Sequence, residues 1–249
     1  MSSTVWVRGG TVRCMARSGP IPHHQELAAL GQASLVHARE QLADAVLLLE
    51  HGRWPLAHAV ATLALEEVGK AHLCFTCMTI PEQFRTGDWF WPAFNSHTAK
   101  LTIAQFILQM FAQTQAPPPP LLEAIAELGT LAGSDHAAKM RGLYVDYQDG
   151  VVLDPADITE QTARHMVSNV STCLAFMSPL DHSDQVSEFA EFMQAWSTMI
   201  AEHMDSVTST LEADPDTFIR RLWDALHGDA PENISELLPG LPSVPDRAR

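Results

Sequence analysis

Three short segments hold every lysine of the chain, and each sets that lysine beside a histidine or a carboxylate. They are Glu66-Glu67-Val68-Gly69-Lys70, His97-Thr98-Ala99-Lys100 and His136-Ala137-Ala138-Lys139-Met140-Arg141. The last two share the spacing His-x-x-Lys, which puts both side chains on one face of a helix. Carboxylate, imidazole and cation together are what proton transfer and anion binding require.

On a helical wheel at about 100° per residue, His58, Thr62, Glu66, Gly69 and Lys70 make a polar strip. Glu67 falls instead among Leu56, Val60, Leu63, Ala71 and Cys74. A carboxylate on that apolar face needs a cation or several donors. His97 repeats the anomaly, in line with Ala93, Leu101, Ala104, Leu108 and Phe111, and Lys100 flanks it. His136 and Lys139 share a face with Met140, Leu143 and Tyr147, so either Lys139 or Arg141 faces inwards. Three helices are thus expected to direct Glu67, His97, Lys100, His136 and one of Lys139 and Arg141 to a common interior, and with Lys70 these are the residues expected to carry the chemistry. The cluster is either a pocket that holds phosphate or a polar network that fixes helix register.

The elements that must position these groups read as helices. Leu35, Ala38, Leu42, Ala45 and Leu49 recur every three or four residues from His23 to about His51, and Gly52 stops the run. Pro55 opens a second helix to about Met78. Gly87–Pro92 reads as a loop rich in Trp and Phe, with Trp89, Phe90, Trp91 and Phe94 lidding the core. A third helix is expected from Pro92 to Gln115, before the four prolines 117–120. A fourth covers Leu121 to Tyr147, with a break expected at Gly133-Ser134-Asp135. A turn at Gln148–Asp154 follows, then helices at Pro155–Met177, Asp184–Leu211 and Pro215–Leu226. The fold class expected is all-α, an up-down helical bundle on a four-helix core with additional C-terminal helices. Its parts are a disordered lead at 1–22, a helical domain at 23–180, a helical extension at 181–227 and a Pro-rich disordered tail at 228–249.

Composition narrows the function. The formal net charge is −15, which argues against a general nucleic-acid binder and leaves room for RNA only in a local basic pocket. No apolar run approaches about 18 residues, and no signal-peptide pattern opens the chain, so a cytoplasmic protein without membrane contact is expected. Cys74-Phe75-Thr76-Cys77 lacks a second pair and reads as buried small apolar residues. No Glu-x-x-His occurs for a di-iron bundle, and neither metal nor cofactor is expected. The stripe Phe189, Met193, Trp196, Ile200, Met204 suits packing on the bundle or on a second copy, a homodimer.

The segment Glu66-Glu67-Val68-Gly69-Lys70-Ala71, preceded by His51-Gly52-Arg53, resembles the signature second helix of the AbiV family of abortive-infection (phage defence) proteins. His136-x-x-Lys139-x-Arg141-Gly142-Leu143-Tyr144-Val145-Asp146 resembles its second signature, and His97-x-x-Lys100 sits where a third is expected. The resemblance covers about residues 24–180. It implies a HEPN-like bundle and an effector that halts growth of infected cells by metal-independent RNA cleavage or by translation inhibition, triggered by a phage or host protein. Many such bundles are metal-independent ribonucleases with an Arg, four to six residues, then a His. Here Arg53–His58 and Arg221–His227 have that spacing, but neither pair falls in the three segments. A non-enzymatic module that binds a phage or host protein is the alternative.

Overall fold

The computed structural model describes residues 5–7, 10–12, 19–82, 85–112, 121–148 and 150–202. The tail at 228–249, the expected helix at 215–226 and Cys14 lie outside them. Two short strands, β1 (Val5–Val7) and β2 (Gly10–Val12), pair antiparallel in the lead. Seven helices follow among the described residues: α1 (His24–Glu50), α2 (Trp54–Thr79), α3 (Gly87–Asn95), α4 (His97–Ala112), α5 (Leu121–Leu143), α6 (Glu160–Met177) and α7 (Val186–Glu202).

Helix α1 forms where the apolar repeat predicts it. Leu35, Ala38 and Ala45 are fully buried, and Leu49 nearly so. Glu26 accepts from the His23 backbone N–H at 3.0 Å, satisfying a donor at the helix start. At the other end Gly52, at φ +68°, turns the chain without the steric cost a Cβ would meet there. Pro55 then occupies the first turn of α2, where no N–H is needed.

Helix α2 is the axis of the molecule. It packs against α1, α4, α5 and α6, and α7 covers α1 and α2. One continuous core joins Leu27, Leu35, Leu65, Val68, Phe90, Leu101, Ile107 and Met177. Ala59, Ala61, Ala64 and Ala71 are all fully buried, so neighbours approach α2 closely on several sides at once. A helix enclosed in this way has no solvent face to leave polar residues on.

Several expected boundaries are corrected. The aromatic loop is helix α3, which buries Phe90 and Phe94 in the core. The chain breaks at Ser96, whose hydroxyl accepts from the Ala99 N–H at 3.1 Å, so α4 begins at His97 rather than near Pro92. Helix α5 runs unbroken through Gly133-Ser134-Asp135, because Asp135 accepts from Gln105 of α4 at 2.5 Å instead of capping a new helix. It stops at Leu143, and the expected turn is a hairpin of β3 (Asp146–Gln148) and β4 (Val151–Leu153), closed at Gly150 with φ +86°. Thr159 then caps α6 by accepting from the Thr162 N–H.

Candidate functional site

The carboxylate at the centre of the cluster is Glu66, not Glu67. The wheel placed Glu67 inwards because it assumed that α2 buries one face. With α2 enclosed, its polar strip becomes the inner seam: His58 is 2% exposed, Thr62 0% and Glu66 3%. Glu67 keeps 17% of its side-chain surface and pairs one turn on with Lys70, which also lies 5.9 Å from the centroid of the Phe94 ring.

Two glycines bring the other helices in. A Cβ on Gly69 would stand 2.0 Å from the carbonyl oxygen of Lys100, and one on Gly142 would stand 2.5 Å from that of Pro55. Only hydrogen at those positions lets α4 and α5 touch the backbone of α2. Each glycine sits three residues past a cluster member, Glu66 or Lys139, so close approach and charge pairing occur one turn apart.

Glu66 receives from both helices. Lys139 donates to Oε1 at 2.5 Å and is itself 3% exposed. His97 meets Oε2 through Nδ1 at 2.5 Å, while Lys100 Nζ stands 3.9 Å from the same oxygen. A carboxylate in an ion pair only accepts hydrogen bonds. The proton on His97 is therefore on Nδ1, and in the neutral ring Nε2 carries a lone pair. The His97 side chain keeps 53% of its surface, whereas its anchor is sealed. Its ring stacks on His136 with centroids 5.4 Å apart and planes 20° apart.

Burial lowers the pKa of His136, and neighbouring Lys139 and His97 reinforce the shift against an opposing pull from Glu66. Burial also lowers that of Lys100; Glu66 opposes this, and Lys70 and Lys139 add to it. His136 Nδ1 and Arg141 Nε are buried atoms without a hydrogen-bond partner among the described residues. Of Lys139 and Arg141, it is Lys139 that faces the interior carboxylate, and Arg141, two residues on in α5, is only partly buried.

The expected segments do converge, and they enclose three lysines and two carboxylates in a chain of net charge −15. Arg53 and His58 do not make a pair at the surface: Arg53 is exposed at the start of α2 and His58 is sealed within it. Glu66 was missed, although Gly69, on the same face three residues on, marked where a neighbouring backbone would come closest.

Cys74, Cys77 and Cys173 are buried free thiols, pushed by burial to about 12, 11 and 12. Among the described residues no three His, Cys, Asp or Glu side chains converge as a metal set, and no helix is long and apolar enough to cross a membrane.

Burial likewise pushes His58 and His72 down to about 4. An unfolded chain protonates its imidazoles near 6.5, so the stability these neutral rings contribute is complete above that pH. It is lost as pH falls from 6.5 towards 4. His72 retains part of its surface, so the larger share belongs to His58. Between pH 6.5 and 5 His58 should cost the fold about 2 kcal/mol. Urea midpoints at the two pH values would show it, and His58→Leu should flatten the slope. An equal slope in the variant would remove His58 from the account.

A family model described as AbiV, of the HEPN type, matches residues 26–175, more than half of the chain. No curated protein and no solved structure matches.

Proposed function

Because this chain belongs to the AbiV family of HEPN proteins, we propose that it is an abortive-infection effector that halts growth of infected cells by metal-independent cleavage of RNA at the His97–His136 pair. The abortive-infection, HEPN-type function comes with the family. The chemistry is our reading, and one observation carries it: a solvent-facing imidazole anchored to a sealed carboxylate and stacked on a second imidazole.

His97 Nε2 takes the proton of a ribose 2′-hydroxyl, and the freed oxygen attacks the adjacent phosphorus. His97 keeps that proton while solvent protonates the departing 5′-oxygen, and His136, whose charged form burial and Lys139 disfavour, holds the His97 ring by stacking on it. Glu66 holds the ring in the tautomer this requires, as a carboxylate does behind a catalytic imidazole. Lys139 is committed to Glu66, so positive charge for the phosphate falls to Lys100, one helical turn from His97 on α4. Glu67 serves at one remove, pairing with Lys70 at the edge of the cluster.

The test is growth after induced expression, with and without phage, for wild type, His97→Ala and His136→Ala. His97 is half exposed but holds a hydrogen bond to sealed Glu66, which keeps Lys139 and Lys100, so its removal should cost about 1–3 kcal/mol of stability, and circular dichroism should show a native helix signal. The folded His97 and His136 variants should lose both growth arrest and RNA fragmentation. A second reading draws on the sealing of Glu66 and Lys139, each 3% exposed: the cluster is scaffold for a non-enzymatic module that binds a phage or host protein. Growth arrest retained by both folded variants, with no RNA fragments from wild type, would establish that reading instead.

A further inference from the structure

The hairpin beyond α5 has no part in the chemistry above, yet it gathers exposed apolar side chains. Tyr144 is 58% exposed, Val145 71%, Tyr147 69%, Val151 59% and Val152 60%. The two tyrosines are the only ones in the chain. The patch begins on the helix itself, since Met140 is 42% exposed and accepts from the Tyr144 N–H at 3.0 Å. Tyr147 and Val152 are cross-strand partners and share one face of the hairpin, so Val151 belongs to the other. A two-stranded hairpin with apolar residues exposed on both faces has little of its own to hold it, and such patches mark interaction surfaces.

Charge says what covers it. Residues 140–157 carry Asp146, Asp149, Asp154 and Asp157 against a single cation, Arg141. A second copy, related by twofold symmetry, would set acid against acid in a chain already at −15. A polynucleotide would bring phosphates to the same aspartates. We propose that Met140, Tyr144, Val145, Tyr147, Val151 and Val152 form a docking surface for a different protein, one that presents an extended apolar segment flanked by Lys or Arg. The hairpin strands have outer edges to which such a segment can add as a third strand, with alternate apolar side chains meeting Tyr147 and Val152. This inference does not rest on ribonuclease activity.

The probe is a short labelled peptide of alternating lysine and valine, with a glutamate–valine peptide of equal length as its counterpart. Binding to the full chain is followed by fluorescence anisotropy. The lysine peptide should bind, more weakly as salt rises, and the glutamate peptide should not. The double variant Tyr147→Ser, Val152→Ser should weaken binding about tenfold, and Val151→Lys, on the opposite face, should weaken it also. Both change exposed positions, and circular dichroism checks that the helices persist. Undiminished binding to both variants would place the peptide elsewhere on the acidic surface and overturn the proposal. So would a dimer in sedimentation that the double variant dissociates, or binding of an oligouridylate probe that the same variant abolishes.

Discussion

Glu66→Ala should destabilise the chain by about 3–5 kcal/mol, the loss expected when one partner leaves a buried ion pair. The magnitude follows from what remains. Lys139, 3% exposed, loses the oxygen it meets at 2.5 Å, and Lys100, with 11% of its side chain exposed, loses the carboxylate 3.9 Å away. Two ammonium groups are then enclosed against each other, and Glu67, the other carboxylate of the cluster, is paired with Lys70. Removal of the cation instead is the milder change. Lys139→Met leaves Glu66 with His97 and Lys100, so it should cost clearly less than Glu66→Ala. The double variant Glu66→Leu, Lys139→Met replaces the pair by apolar groups of similar volume and should recover much of the loss. Denaturant midpoints for the three variants check the order. Equal losses for Glu66→Ala and Lys139→Met would mean that Lys100 contributes nothing to holding the carboxylate.

This asymmetry also bears on function. Removing Glu66 strips His97 of the acceptor that fixes its tautomer, while removing Lys139 leaves the His97–Glu66 contact in place. A stability role and an orienting role therefore separate along one side chain: Oε1 serves the first and Oε2 the second.

Much of this was legible in the residues. The repeat of α1, the proline that opens α2 and the glycine between them set both helices to within a few residues. Rarity made the cluster legible, because a chain that spends only three lysines and puts each beside a histidine or glutamate is marking a place. The choice between Glu66 and Glu67 was not legible. A wheel reports which face is apolar, and α2 is enclosed by α1, α4, α5 and α6, so its polar strip is interior too. The start of α4 was open to a better reading, since Ser96 ahead of His97 is a strong capping residue. The hairpin was hidden because Leu143-Tyr144-Val145-Asp146 continues the periodicity of α5 for one turn, and strand pairing depends on residues that no local pattern reports. The hairpin's two faces and the imidazole stack are tertiary facts of that kind.

Gly69→Ala should cost about 3 kcal/mol or more, an unusual loss for a single methyl group in a helix. Alanine is the better helix former, so propensity alone predicts a gain of up to about 1 kcal/mol. Packing overrides it, because the new methyl would lie 2.0 Å from the Lys100 carbonyl oxygen and 2.8 Å from its carbon. Those are backbone atoms in the first turn of α4 and cannot rotate away as a side chain would. Relief requires α4 to shift as a body, and it carries His97 and Lys100 with it, away from Glu66. Gly69→Ala should thus lose activity along with stability, although its side chain touches no substrate. The same helix packing supplies the control. Gly129 and Gly133 of α5 have no heavy atom within 4 Å of an added Cβ, so alanine at either should stabilise by about 0.5–1 kcal/mol. Thermal midpoints of the three alanine variants decide the matter. If Gly69→Ala rises with the other two, α2 and α4 do not meet at that glycine, and the positioning of His97 against Glu66 has to be found elsewhere.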